Sequence, residues 1–352
     1  MSSLLHSKFD YLTPYTPGEQ PKDMQYIKLN TNESPFPPSP LAQQYAKEAA
    51  ENLQLYSDPE CRDLVKTAAE YYGVKEDQLI FTNGSDEILN FVFMGFCEDG
   101  VTFPDITYGF YKVFADLNEV ECEIPPLNDD FTINIKDYIW THNSIVIANP
   151  NAPTGIALTL SQIEEIVSQN TSYLVVIDEA YVDFGAESAV KLIDKYENLL
   201  VVQTFSKSRS LAGARLGVGI GNSAIIKDLN TIRYSTNPYN VNRMTMAAGI
   251  GSLKDDNYTK ANCQEIIENR KWTEKQLKKL GFSMTDSLAN FIFAKHKKAD
   301  GKQIYLKLKE KGVLVRHFDK ERLYDYNRIT IGNKEQMKIF IKTLKEVLKE
   351  LV

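Results

Sequence analysis

Three short apolar runs, each ending in polar residues able to do chemistry, constrain this chain more than any other feature. Ser144-Ile145-Val146-Ile147-Ala148 leads into Asn149-Pro150-Asn151-Ala152-Pro153-Thr154-Gly155, and Tyr173-Leu174-Val175-Val176-Ile177 leads into Asp178-Glu179-Ala180-Tyr181. Leu199-Leu200-Val201-Val202-Gln203-Thr204-Phe205 leads into Ser206-Lys207-Ser208. Continuous apolar runs of this length fit strands buried on both faces. Open α/β sheets bind ligands beyond the C-terminal ends of such strands, so all three runs aim their polar ends at one edge.

The surrounding pattern supports an α/β fold. From about residue 60 to 240, helical and strand-like segments alternate, as in a mainly parallel sheet covered by helices on both faces. Residues 1–36 are polar and proline-bearing and suit an arm lying across another surface. A large domain is expected over 37–255, opening with a helix near Leu41 to Leu53, and a smaller α+β domain over 256–352. The smaller domain would carry strands at Phe291-Ile292-Phe293-Ala294, Val313-Leu314-Val315-Arg316 and Arg328-Ile329-Thr330-Ile331, and close with a helix from about Lys334 to Leu351. The arm and residues 37–55 could equally pack with that smaller domain.

Lys207 is an amine at a strand end, where it can form a Schiff base, and Asp178 is an acid at a second strand end. A lysine of this kind with an acid able to pair with a pyridinium nitrogen is what pyridoxal phosphate requires. Taken with Leu12-Thr13-Pro14-Tyr15, Leu29-Asn30-Thr31-Asn32-Glu33, Gly84-Ser85-Asp86-Glu87, Thr107-Tyr108-Gly109, Leu211-Ala212-Gly213-Ala214-Arg215-Leu216-Gly217 and Arg328-Ile329-Thr330-Ile331-Gly332, the order and spacing of these fragments carry a resemblance. The chain resembles the fold-type I, pyridoxal-phosphate-dependent aminotransferases over nearly its whole length. Within that group it is most similar to the histidinol-phosphate aminotransferases.

The resemblance implies roles for particular residues. Lys207 would hold the cofactor and then act as the general base, Asp178 would keep the ring nitrogen protonated, and Tyr181 would hydrogen-bond the cofactor O3′. Tyr108 would stack on the ring. Gly84, Ser85 and Asp86 would open a helix whose N–H groups take the cofactor phosphate, although Ser85 could instead be an ordinary helix cap. Ser206 and Arg215 would reach the same phosphate, and Tyr56 would reach it from the neighbouring subunit of a homodimer. Arg328 would grip the substrate carboxylate, Arg316 and Tyr15 the substrate phosphate, and Asn32 would line the entrance together with residues 237–242.

Two departures from the family pattern bear on this assignment. Ala152 stands where the family has the asparagine that donates to O3′, so that bond is missing unless Asn151 or a water supplies it. Asn32-Glu33-Ser34-Pro35 replaces the commoner Asn-Glu-Asn-Pro wording.

The activity implied is transamination between histidinol phosphate and 2-oxoglutarate in histidine biosynthesis, with ping-pong kinetics through Lys207. A threonine-phosphate decarboxylase-like lyase and an aromatic aminotransferase share most of these motifs and remain alternatives. A cofactor-sensing regulator is disfavoured, because only about 28 residues precede Leu29-Asn30 and such regulators carry a DNA-binding segment there.

Composition excludes other classes. Forty basic against forty-seven acidic residues give a net charge of −7, with no basic patch to bind nucleic acid. Cys61, Cys97, Cys122 and Cys263 lie far apart, as do the four histidines, so neither a disulfide framework nor a metal site is expected. No stretch is apolar enough to cross a membrane and no secretory leader is evident, which makes the cytoplasm the expected compartment. Gly217-Val218-Gly219-Ile220-Gly221 alternates like a strand and lacks the spacing of a dinucleotide fingerprint.

Overall fold

The computed structural model describes residues 4–352, so the first three residues of the expected arm lie outside the described residues. In chain order the strands are β1 (Ile27–Leu29), β2 (Leu79–Asn83), β3 (Val101–Thr102), β4 (Cys122–Glu123), β5 (Ser144–Ala148), β6 (Val175–Asp178), β7 (Leu199–Thr204) and β8 (Leu216–Gly221). They are followed by β9 (Phe282–Met284), β10 (Phe291–His296), β11 (Val313–His317) and β12 (Tyr326–Thr330).

Seven strands form a sheet in the order β2-β8-β7-β6-β5-β3-β4. Its central strands β5, β6 and β7 are parallel, and β8 is antiparallel to both β7 and β2. Side chains alternate across these strands, so one sequence feeds two cores. Ile145, Ile147, Val175, Ile177, Leu199 and Val201 pack into one. Val146, Val176, Leu200 and Val202 pack into the other. All ten side chains are buried, which explains why these runs are apolar without a polar alternation.

Register then places the chemistry. Ala148 pairs with Asp178, and Asp178 with Val202, so β5 and β6 end level, β7 runs two residues further to Thr204, and the residues after all three share one rim. β6 starts later than the apolar run because Tyr173 N–H donates to Asn170 O at 3.0 Å in a turn.

The other sheet runs β1-β11-β12-β10-β9. β1, from within the arm, pairs parallel with β11, while β11, β12, β10 and β9 are antiparallel neighbours. The helices Asp256–Lys279, Gly301–Glu310 and Lys334–Leu351 carry the lysine-rich segments, and the last coincides with its sequence expectation. The helix expected near Leu41 to Leu53 runs over Pro40–Ala50, with the Ser39 side chain accepting from Ala42 N–H at its start. It ends short because Glu51 to Leu53 pass into exposed turns.

Candidate active site

Two connected chambers open at the rim where β5, β6 and β7 end. The inner one, about 130 Å³, is lined among others by Ser85, Asp86, Asp178, Ser206, Lys207 and Arg215. The outer one, about 480 Å³, holds Tyr15, Asn32, Arg316 and Arg328. Tyr108, Ala152, Tyr181 and Lys207 line both, so the amine stands at the junction.

Lys207 follows β7, and its Nζ donates to Thr31 O at 3.3 Å and lies 5.8 Å from the centre of the Tyr181 ring. Asp178 ends β6. Tyr111 donates to its Oδ2 at 2.8 Å, while its Oδ1 is buried without a partner among the described residues. Burial pushes the Asp178 pKa up to about 6, against the pull of the Tyr111 hydrogen bond. A buried carboxylate oxygen left open toward a chamber is complementary to a cation or an N–H donor.

The opposite wall is suited to an anion. The helix Ser85–Gly95 begins after Gly84, and no side chain caps it among the described residues, so Ser85 is not the ordinary cap that the sequence allowed. Its first N–H groups are left for a ligand. β8 lies unusually close to this terminus: a Cβ on Gly217 would come within 2.3 Å of Ser85 N. Arg215, held in a left-handed conformation at φ 58°, reaches Ser206 Oγ at 3.5 Å and pairs with Asp86 Oδ2 at 3.1 Å. Tyr108 donates to the other oxygen of Asp86 at 2.8 Å, and desolvation together with that carboxylate raises the phenol's pKa far above the ordinary tyrosine value.

In the outer chamber Arg316 and Arg328 are direct register partners across β11 and β12. Guanidinium groups so placed favour an anionic occupant. Arg328 Nη2 donates to Asn30 O at 3.0 Å, but its Nε is buried without a partner among the described residues. Desolvation lowers its pKa, a direction that an anion in the chamber would reverse. Tyr15 stacks on Phe110 with ring centres 4.2 Å apart, bringing the arm over the chamber mouth.

Of the predicted residues, Gly84 precedes the helix terminus without lining either chamber, and residues 237–242, Asn151 and Tyr56 line neither. The Asn151 amide nitrogen donates to Ile106 O and Thr154 Oγ1, and its carbonyl accepts from Thr107 Oγ1, so its side chain ties its own loop to the segment after β3. It therefore does not replace the polar group that Ala152 lacks. Tyr56 is 81% exposed and stacks on Tyr239 at 4.7 Å, outside both chambers of its own chain. Sequence reasoning missed Tyr111. Its three-residue spacing from Tyr108, at the start of the helix Phe110–Asn118, is the signal that puts both rings on one side. It also gave Glu179 no role. That side chain points to the far face of the sheet, where Ser188, Gln203 and Ala189 N–H hydrogen-bond it and burial pushes its pKa up to about 7.

Among the described residues there is no cluster of three or more potential metal ligands, and no helix is long and apolar enough to cross a membrane.

The sheet order, with a lysine and an acid at neighbouring strand ends, defines a fold-type I transferase. Residues 24–344 match the family described as aminotransferase class I and II. The histidinol-phosphate aminotransferase of Brachyspira hyodysenteriae is 52% identical, covering 99% of this chain and 100% of its own length. That of Clostridium botulinum strain 657 is 47% identical over 97% of each chain. The crystal structure of the histidinol-phosphate aminotransferase from Clostridium acetobutylicum superposes with a TM-score of 0.85 at 25% identity, covering 92% of this chain and 99% of that one. That of the Sinorhizobium meliloti enzyme in complex with pyridoxal 5′-phosphate shares the fold at a TM-score of 0.85 and 23% identity, over 93% of this chain and 92% of that one. The chain belongs to the class I and II aminotransferases.

Proposed function

We propose that this aminotransferase uses pyridoxal 5′-phosphate and moves the amino group of histidinol phosphate to 2-oxoglutarate. The observation that carries the cofactor reading is the inner chamber itself. It joins an amine, an open buried carboxylate oxygen and an uncapped helix terminus, which fit respectively the carbonyl, ring nitrogen and phosphate of that one molecule. The substrate reading is supported by the two arginines of the outer chamber and by the names of the relatives.

Bound pyridoxal phosphate supplies an electron sink for breaking the substrate Cα–H bond and stores the amino group between half-reactions. The residues divide the remaining work. Asp178 would pair with the ring nitrogen and favour its protonated form, with Tyr111 fixing the carboxylate. Ser85, Asp86 N–H, Ser206 and Arg215 anchor the phosphate, while Gly84 and Gly217 let the backbone approach. Tyr108 covers the ring face. Lys207 Nζ would hold the cofactor's carbonyl carbon and would serve as the base that takes and returns the proton at substrate Cα. Arg328 grips the carboxylate of the amino acid partner, and Arg316 with Tyr15 meets the phosphate of histidinol phosphate. The two anions use neighbouring guanidinium groups in one chamber.

The working unit is proposed to be a cytoplasmic homodimer in which the exposed Tyr56 of each copy completes the phosphate site of the other. Adding histidinol phosphate to the reconstituted protein tests the whole reading. Conversion of the cofactor's visible band in wild type, and not in Lys207→Ala, is expected. A cofactor band indifferent to histidinol phosphate overturns the substrate, and released carbon dioxide would reassign the reaction to a decarboxylase.

A further inference from the structure

Asn32 is buried, 1% exposed, and its backbone is held at φ 56°, a left-handed conformation that asparagine and glycine tolerate best. Such a conformation persists when surrounding contacts over-determine it, and here they do. Asn32 N–H donates to Thr330 Oγ1 at 3.0 Å, and Asn290 Nδ2 donates to Asn32 O at 2.9 Å. The Thr330 hydroxyl, already an acceptor, passes its own proton to Asn32 Oδ1 at 3.0 Å. With Oδ1 turned to that hydroxyl, the carboxamide presents its other end to Tyr181. The Nδ2 end meets the Tyr181 hydroxyl at 3.0 Å.

A phenol has one proton and can accept as well as donate. With a donor occupying its acceptor side, the Tyr181 hydroxyl cannot point its proton at Asn32. We propose that Asn32 is a positioning residue: clamped by Thr330, its carboxamide turns the Tyr181 hydroxyl proton into the inner chamber, toward an electron-rich oxygen of the bound cofactor. The neighbouring wall residue, Ala152, offers only a methyl group there, so this proton is not duplicated by a carboxamide on that wall. Phe291 packs edge-on against the Tyr181 ring at 5.1 Å and holds the ring plane, leaving the hydroxyl torsion as the freedom that Asn32 removes. Thr330 lies two residues beyond Arg328 on β12, on the same strand face, so the clamp is built on the strand that carries the proposed carboxylate grip.

The inference rests on the proposed pyridoxal phosphate reading, and its test reads the cofactor's absorbance rather than turnover. The titratable groups facing Tyr181 are Lys207, Arg328, Tyr15, Tyr108 and Tyr111, and all are retained in the variants. Asn32→Gly keeps the left-handed backbone and removes the carboxamide. Losing a directed donor to the cofactor's phenolic oxygen should raise the pH midpoint of the bound cofactor's visible absorbance by about half a unit to one unit. Tyr181→Phe should raise it at least as far, and Asn32→Gly should add nothing in the Tyr181→Phe background. Thr330→Val, which frees the carboxamide, should follow Asn32→Gly, whereas Thr330→Ser should match wild type. A midpoint unmoved by Asn32→Gly, in protein that melts cooperatively, overturns the inference alone. So does a shift that persists in full without the Tyr181 hydroxyl. Wild-type protein that binds no cofactor at all overturns both this inference and the reading beneath it.

Discussion

The Tyr111 hydroxyl donates to one oxygen of Asp178, a residue lining the inner chamber, and leaves the other buried without a partner among the described residues. The phenol thus orients the carboxylate without using it up. Asp178→Asn should remove the anion that a protonated ring nitrogen needs, lowering kcat by on the order of 100-fold or more, as expected when a buried charge-assisted contact is lost. Tyr111→Phe keeps the charge and should cost only about tenfold. Cofactor affinity gives a second measure. Burial raises the Asp178 pKa to about 6, and only its ionised form complements a cation. Cofactor binding should therefore weaken as pH falls through that value in wild type. A dissociation constant with the same pH dependence in Asp178→Asn would remove Asp178 from this role.

Arg316 and Arg328 face each other across two strands, yet their predicted losses differ. Arg328 Nε is buried without a partner among the described residues, so Arg328→Ala should impair every amino donor, with kcat/KM reduced by about 100-fold, the loss of one buried charged pair. Arg316→Ala should spare donors without a phosphate. The check is the ratio of kcat/KM for histidinol phosphate over histidinol, which should fall at least tenfold in Arg316→Ala. A ratio that survives the substitution would move phosphate recognition elsewhere.

Backbone approach at the phosphate end is tested by one methyl group. Gly217→Ala would set a Cβ 2.3 Å from Ser85 N and 2.5 Å from Gly84 C, both backbone atoms that cannot swing aside. Overpacking of this kind costs about 1–3 kcal/mol. The strain should fall on the helix terminus that takes the phosphate, so the cofactor dissociation constant should rise at least tenfold. Gly213→Ala, where among the described residues no atom beyond the adjoining ones lies within 4 Å of the added Cβ, is the control and should bind as wild type. Equal affinities in the two variants would show that the close approach is immaterial.

What could be seen in the sequence was whatever is encoded locally. The runs ending at Ala148, Asp178 and Thr204 announce themselves because strands buried on both faces must be continuously apolar, and their polar ends follow directly. Lys207 and Asp178 stood out as strand-end residues for that reason, while the Gly84-Ser85-Asp86 turn was read as a helix start and from the resemblance. Contacts that join distant segments were not. Asn32 and Tyr181 are separated by 149 residues, and nothing local to either marks their hydrogen bond. Asn151 misled because its neighbours in sequence resemble a cofactor-binding loop, while its amide is consumed by Thr154 in that loop and by Ile106 in the segment after β3. The arm likewise contains β1, whose pairing with β11 depends on a partner almost three hundred residues away.

Glu179, next to Asp178 but on the opposite face, should be visible in stability rather than in catalysis. It is 1% exposed, accepts from Ser188, Gln203 and Ala189 N–H, and burial still raises its pKa from 4.5 to about 7. The folded protein therefore holds this proton more tightly than the unfolded chain does. Below pH 4.5 the group is protonated in both states and its contribution is fully present; as pH rises through about 7 that contribution is lost. The loss amounts to about 3 kcal/mol at about 1.4 kcal/mol per pKa unit. Asp178 acts in the same direction at lower pH and is common to both proteins compared. The melting temperature of the cofactor-free protein should decline from pH 5 to pH 8, and more steeply in wild type than in Glu179→Gln, whose side chain cannot ionise. Parallel declines in the two proteins would mean that Glu179 does not titrate in this range.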